Sequence, residues 1–138
     1  MSKNLKFLMI DDDEYKINRI SSELKEGDKL YKSNNYQEGL MLVRNLGDKL
    51  DCIILDMQFP ISVGESIDTT AGLSVLAELE RTRCKIPVVL CTGSSKETID
   101  KLNIRQELLY IIYFDSCYSQ KSDLVKIYEL LEEKANEK

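Results

Sequence analysis

The chain has 138 residues, 43% of them hydrophobic and 31% charged, with a formal net charge of -5 and no histidine. Residues 1–138 are enough for one domain with a sizeable core and few for two. The acidic balance argues against nucleic-acid binding, and the lack of histidine excludes histidine-based catalysis. No apolar run approaches the roughly 20 residues that span a bilayer, and no signal peptide is evident, so we expect a cytoplasmic protein that does not bind membranes.

Apolar runs alternate with amphipathic segments along the whole chain. The runs that predict strands are residues 5–10, 29–32, 52–55, 86–91 and 108–114. The segments whose apolar periodicity predicts helices are residues 14–26, 36–46, 70–83, 96–104 and a last helix from about residue 124. Flanking lysines favour an edge position for the strand at 29–32. We expect the charged tail at 132–138 to fray.

This β-α alternation is typical of an α/β protein with a doubly wound parallel sheet and helices on both faces. One segment departs from the compact pattern. Residues 61–70 connect the third strand to its helix, and this connection is longer than the usual length of about two to six residues. The segment is either a functional lid or partner surface, or a tolerated insertion.

Polar residues follow four of the predicted strands. They are Asp11 to Asp13 after the first strand, Asp56 after the third, Thr92 after the fourth, and Asp115 with Ser116 after the fifth. In a doubly wound sheet the carboxyl ends of the strands line one edge, and ligands bind where the strand order reverses. The residues that we expect to meet in one cleft there are Asp11, Asp12, Asp56 and Thr92.

Clustered carboxylates suit a cation and phosphoryl chemistry. Three carboxylates without basic neighbours repel each other, and a bound cation relieves that repulsion. Oxygen ligands suit Mg²⁺, beside which an aspartate can attack phosphorus. A hydroxyl such as that of Thr92 can help to neutralise the phosphoryl oxygens. Each piece also has a structural explanation: the Asp11–Asp13 run as a helix N-cap, Asp56 as part of a turn, and Thr92 as a strand end.

The motifs around these residues resemble receiver domains of the two-component response-regulator family. The matching stretches are residues 7–13 (FLMIDDD), 53–60 (IILDMQFP), 72–76 (GLSVL) and 86–93 (IPVVLCTG). The resemblance covers essentially the whole chain. It implies a flavodoxin-like fold with a five-stranded parallel sheet in the order 2-1-3-4-5.

The resemblance also implies a role for each site residue. Asp56 would be the phosphoacceptor, and Asp11 and Asp12 would hold Mg²⁺ with it, together with the backbone carbonyl of Gln58. Thr92 would contact the phosphoryl group and couple to an aromatic residue on the fifth strand, which is either Tyr113 or Tyr110. The phosphoryl group would come from a sensor histidine kinase, a phosphotransfer protein or a small phosphodonor. A downstream protein target would respond, so the chain would be a signalling domain rather than an enzyme.

Two features depart from the family pattern and leave alternatives open. Residues 106–120 contain no lysine, although receivers usually carry one after the fifth strand; Lys121 is the nearest candidate. The loop after the third strand is also long. One alternative is a pseudo-receiver, a binding module on the same fold that is never phosphorylated. Another is a small phosphatase with an aspartate nucleophile, using Asp11 and Asp13.

Overall fold

A computed structural model describes residues 4–113 and 123–137 of the chain. The strands are β1 (Lys6–Ile10), β2 (Lys29–Ser33), β3 (Cys52–Leu55), β4 (Phe59–Pro60), β5 (Ile67–Asp68), β6 (Val88–Thr92) and β7 (Tyr110–Tyr113). The helices are α1 (Glu14–Ser22), α2 (Tyr36–Leu46), α3 (Ala71–Arg81), α4 (Lys96–Asp100) and α5 (Asp123–Asn136). Asp115, Ser116 and Lys121 lie outside the described residues.

Five of the strands form one parallel sheet in the order β2-β1-β3-β6-β7. The predicted order 2-1-3-4-5 is confirmed, because the two short strands β4 and β5 pair only with each other in the described part of the chain. The strand at residues 29–33 lies at an edge, as its lysines predicted. The order reverses between β1 and β3, and a fold of this kind binds its ligands at that point.

The sheet has an apolar core on each face because successive strand residues point to opposite sides. On one face Phe7 and Met9 of β1 pack with residues of α1 and α5. On the other face Leu8 and Ile10 pack with residues of α2 and α3. Strands β1, β3 and β6 are therefore covered on both faces, which explains their continuous apolar runs.

Several element boundaries differ from those predicted. Helix α1 ends at Ser22 rather than at residue 26, because the Glu23 N–H turns back to the Ile20 and Ser21 carbonyls. Helix α4 ends at Asp100, where the next N–H groups likewise bond to nearby carbonyls. The expected fraying of the tail is wrong, since α5 continues to Asn136. Within the described residues, no helix is both long and apolar enough to cross a membrane.

The long segment after β3 contains a small antiparallel ribbon. Phe59 pairs with Asp68, and Pro60 pairs with Ile67. Phe59 is fully buried and belongs to the core formed with α2 and α3, whereas Val63 in the turn of the ribbon is 77% exposed. The base of the segment is thus anchored to the core beside Asp56, and its tip projects from it.

Candidate functional site

The carboxyl edge of the sheet brings Asp11, Asp12 and Asp56 together. Asp11 follows β1 and Asp56 follows β3, and these strands are paired up to Ile10 and Leu55. One carboxylate oxygen from each aspartate lies within 4.8 Å of the others. Asp11 is fully buried and Asp56 is 8% exposed, while Asp12 is half-buried. The sheet register therefore creates the convergence that the strand ends predicted.

Backbone N–H groups orient two of these carboxylates. Asp11 Oδ1 accepts a hydrogen bond from the Asp13 N–H at 2.9 Å, and Asp56 Oδ1 accepts one from the Met57 N–H at 2.7 Å. Asp13 itself caps α1 by accepting from the Tyr15 N–H at 2.9 Å. The helix-cap interpretation of the aspartate run is therefore right for Asp13, whereas Asp11 and Asp12 contribute oxygens to the cluster.

A lysine that the sequence did not single out lies inside this cluster. Lys16 Nζ is 2.9 Å from Asp11 Oδ2 and 3.2 Å from Asp56 Oδ2. Its side chain is only 8% exposed. The expectation that the carboxylates have no basic neighbour is wrong. A signal was available: Lys16 lies four residues before Ile20 on α1, and positions four apart share a helix face, which here is buried.

Burial and the clustered charges shift the pKa values of the site. Burial, and then the Asp56 carboxylate, raise the pKa of Asp11, and Lys16 offsets only part of this effect. Burial also raises the pKa of Asp12. Burial alone would lower the pKa of Lys16, but Asp11 and Asp56 more than offset it, so the pKa is raised and the ammonium stays charged. The site thus keeps one permanent cation among competing carboxylates.

The chemistry of the donor set fits Mg²⁺. Three carboxylates and one ammonium carry a formal charge of -2 when all are ionised, which a divalent cation balances. All the candidate ligand atoms are oxygens, the type that Mg²⁺ prefers. Gln58 follows closely on Asp56 and its side chain is exposed. The ligand role of its backbone carbonyl stays a prediction.

Thr92 lies at the same edge of the sheet, at the end of β6. It is buried, and its hydroxyl accepts a hydrogen bond from the Ser94 N–H at 3.0 Å. Of the two aromatic candidates on β7, Tyr113 pairs in register with Thr92, whereas Tyr110 pairs with Val89. Tyr113 is 39% exposed. The sheet register therefore favours Tyr113 as the aromatic neighbour of Thr92.

Gly72 permits α3 to approach the backbone next to Asp56. The Gly72 N–H donates to the Met57 carbonyl at 2.9 Å. A Cβ at this position would lie 2.6 Å from Met57 Cα and would also overlap the Asp56 carbonyl oxygen. Glycine is required here because of this close approach, and the start of α3 thereby fixes the loop that carries Asp56.

Solved structures with this fold include receiver domains. A response regulator receiver domain protein from Methanospirillum hungatei JF-1 is 23% identical, with 99% of this chain and 100% of that chain covered and a TM-score of 0.71. The signal receiver domain of a putative Luxo repressor protein from Vibrio parahaemolyticus is 15% identical, with coverages of 98% and 95% and a TM-score of 0.73. The phosphorylated cyanobacterial phytochrome response regulator RcpA is 19% identical, with coverages of 94% and 89% and a TM-score of 0.62.

No family model matches the sequence, and no curated protein matches it either. The chain has the flavodoxin-like fold of response-regulator receiver domains. The resemblance deduced from the motifs is confirmed at the level of the fold. At these identities the fold alone is shown, and the chemistry must be argued from the site.

Proposed function

We propose that this chain is a phosphoacceptor signalling domain of a two-component phosphorelay, and that Asp56 accepts the phosphoryl group in a Mg²⁺-dependent reaction. The observation that carries the proposal is the gathering of Asp11, Asp12 and Asp56 where the strand order reverses. The likeness to the phosphorylated regulator RcpA supports it, because that protein carries the modification on the same fold. Receiver domains are signalling modules rather than classical enzymes.

The two carboxylate oxygens of Asp56 have different partners. Oδ1 accepts a hydrogen bond from the Met57 N–H, and Oδ2 lies 3.2 Å from Lys16 Nζ. One carboxylate oxygen of Asp56 would attack phosphorus, forming an oxygen–phosphorus bond while the bond between phosphorus and the donor's leaving group breaks. Asp11, Asp12 and Asp56, with the Gln58 carbonyl, would hold Mg²⁺. When bound, this ion supplies neutralisation of the charge on the transferred phosphoryl group.

Thr92 would complete the site as a hydrogen-bond donor. The Ser94 N–H donates to its hydroxyl oxygen, and the hydroxyl proton can then point towards a phosphoryl oxygen. Since Tyr113 lies beside Thr92 in the register, a shift of Thr92 would alter the partly exposed surface of β7. Phosphorylation would shift the equilibrium between two conformations whose surfaces bind a downstream protein with different affinity.

The proposed partners follow from this chemistry. A sensor histidine kinase or a phosphotransfer protein would supply the phosphoryl group, and the recipient of the signal would be another protein. A cytoplasmic location and a single receiver domain over residues 1–138 are parts of the same proposal. Direct contact with nucleic acid is not part of it, because the chain is acidic.

Phosphorylation by a small phosphodonor tests the proposal. The protein is incubated with acetyl phosphate and Mg²⁺, and its intact mass is measured. We expect the wild type to gain one phosphoryl group and Asp56→Asn to gain none. Asp51→Asn is the matched control, because Asp51 lies at the opposite end of β3, where its carboxylate accepts from the Lys6 N–H at 2.9 Å. An adduct that persists in Asp56→Asn would refute the assignment.

A pseudo-receiver is the second candidate, and Lys16 favours it, because its ammonium already neutralises the aspartate that would be phosphorylated. This candidate predicts no adduct on the wild type with acetyl phosphate or a kinase. The small phosphatase is disfavoured, because one oxygen of its second aspartate, Asp13, is engaged in capping α1. Turnover of a phosphomonoester that is lost in Asp11→Asn but not in Asp56→Asn would revive it.

A further inference from the structure

Lys16 bridges the two buried carboxylates of the proposed site. Its Nζ lies 2.9 Å from Asp11 Oδ2 and 3.2 Å from Asp56 Oδ2. The other oxygen of each aspartate is already engaged by a backbone N–H, from Asp13 and Met57 respectively. In each aspartate, the ammonium thus contacts the oxygen that does not accept this backbone hydrogen bond.

The position of this ammonium is set by the fold. Asp13 caps α1 and so fixes the first turn of the helix, in which Lys16 lies. The lysine shares a helix face with Ile20, which is 1% exposed, and its own side chain is 8% exposed. A buried ammonium is costly unless paired, and this one is paired twice. The bridge is therefore part of the folded structure rather than a chance contact of a surface lysine.

An ion that takes both Asp11 Oδ2 and Asp56 Oδ2 as ligands must replace the ammonium as their common partner. Two cations next to the same pair of oxygens repel each other strongly in a buried site. The proposed function requires a divalent cation on these same residues. Lys16 and the metal would therefore compete for the same two carboxylate oxygens.

We infer that Lys16 is a resident counter-cation that competes with divalent metal for Asp11 and Asp56. The carboxylates stay assembled without metal because the lysine neutralises them. The same contact weakens metal binding, so the site fills only at raised metal concentration or when a phosphoryl group adds negative charge. This inference rests on the metal site of the proposed function, but it does not require that Asp56 be phosphorylated.

Titration calorimetry with MgCl₂, in the absence of any phosphodonor, tests the competition. We expect Lys16→Met and Lys16→Gln to bind Mg²⁺ about tenfold tighter than the wild type, because the competing charge is gone. Lys16→Arg keeps the charge and should bind as weakly as the wild type. Lys25→Met is the matched control: this lysine lies over the Tyr128 ring at 4.4 Å, at the opposite end of the sheet. Its affinity should stay unchanged.

Mg²⁺ affinity that is unchanged or lower in both neutral variants would overturn the inference, since Lys16 would then order the carboxylates for the metal. Lys16→Gln decides the matter if Lys16→Met does not fold, because its amide keeps uncharged hydrogen-bond donors on the side chain. The readout is independent of phosphorylation. Tighter binding in the variants together with a wild type that accepts no phosphoryl group would sustain this inference and refute the proposed function.

Discussion

At the amino end of the sheet, Asp28 and Asp51 accept hydrogen bonds from uncharged donors, whereas at the carboxyl end Asp11 and Asp56 share one ammonium. Asp28 Oδ1 accepts from the Leu5 N–H at 2.8 Å, and Oδ2 accepts from the Tyr128 hydroxyl. Asp51 Oδ2 accepts from the Lys6 N–H at 2.9 Å. These carboxylates tie a strand to its neighbours, and neither belongs to a cluster of three acidic side chains within the described part of the chain.

The difference separates acids that tie strands together from those that we propose to bind a cation. A carboxylate that is satisfied by neutral donors stabilises the fold and needs no ligand. Carboxylates that are brought together repel each other, and such sites are kept where a cation or a reaction uses them. A groove of about 1230 Å³ lies at the amino end and is lined in part by Asp28 and Tyr128. Under the proposed function, the arrangement of charges rather than the size of a groove marks the site.

The largest effect on stability is expected from Lys16. Without metal, Lys16→Met should lower the free energy of unfolding by about 3 kcal/mol, because two neighbouring buried carboxylates lose their counter-ion. Urea denaturation in the presence of a chelator measures this loss. Mg²⁺ should restore much of the stability in the variant. A variant as stable as the wild type without metal would show that the ammonium does not hold the site together.

The next largest loss of stability is expected at Gly72, because this residue links α3 to the loop that carries Asp56. We expect Gly72→Ala to cost about 2 kcal/mol, since overlap with rigid backbone outweighs the better helix propensity of alanine. It should also weaken phosphorylation. Gly39→Ala is the control, because its Cβ would meet side-chain atoms of Ile10, the nearest being Cδ1 at 2.8 Å, rather than backbone. Equal losses in urea denaturation for both variants would contradict this role of Gly72.

Tyr128 at the amino end should have the smallest effect. Tyr128→Phe removes a donor to Asp28 and should cost about 1 kcal/mol, without changing Mg²⁺ affinity or phosphorylation. Burial, and then the bond to Asp28, raise the pKa of Tyr128 from 10.0 to about 12. Because the folded-state pKa is raised, the stabilisation by the Tyr128 hydroxyl is present below pH 10 and is lost as pH rises through about 12. The stability gap between wild type and variant should narrow over that range, as measured by urea denaturation.

The fold was predictable because its signals are local and repeated. Strand β3 is an apolar run followed by a polar residue, and β6 is an apolar run that ends in Thr92. Helix α2 has its predicted bounds of Tyr36–Leu46. The convergence of Asp11 and Asp56 followed from the rule for parallel sheets. The β4–β5 ribbon was not predictable, since two-residue strands have no periodicity and pair across a loop.

Lys16 was missed for a different physical reason. A lysine beside core positions usually extends its stem over apolar surface and keeps its ammonium in water. Here the helix directs the ammonium into an acidic cluster formed by residues from two separate strands. Helix periodicity can show that a lysine faces inward. It cannot show that the lysine forms an ion pair with Asp56, which lies forty residues later in the chain.

A crystal structure with Mg²⁺ and beryllofluoride, a phosphoryl mimic, tests the central claim most directly. The account predicts the mimic on Asp56, a metal ion held by Asp11, Asp12 and Asp56, and Lys16 Nζ moved away from its bridge between Asp11 and Asp56. A structure in which the bridge persists, with neither the ion nor the mimic at the carboxyl end of the sheet, would contradict it. The acidic cluster would then have a structural role only, as the carboxylates at the amino end have.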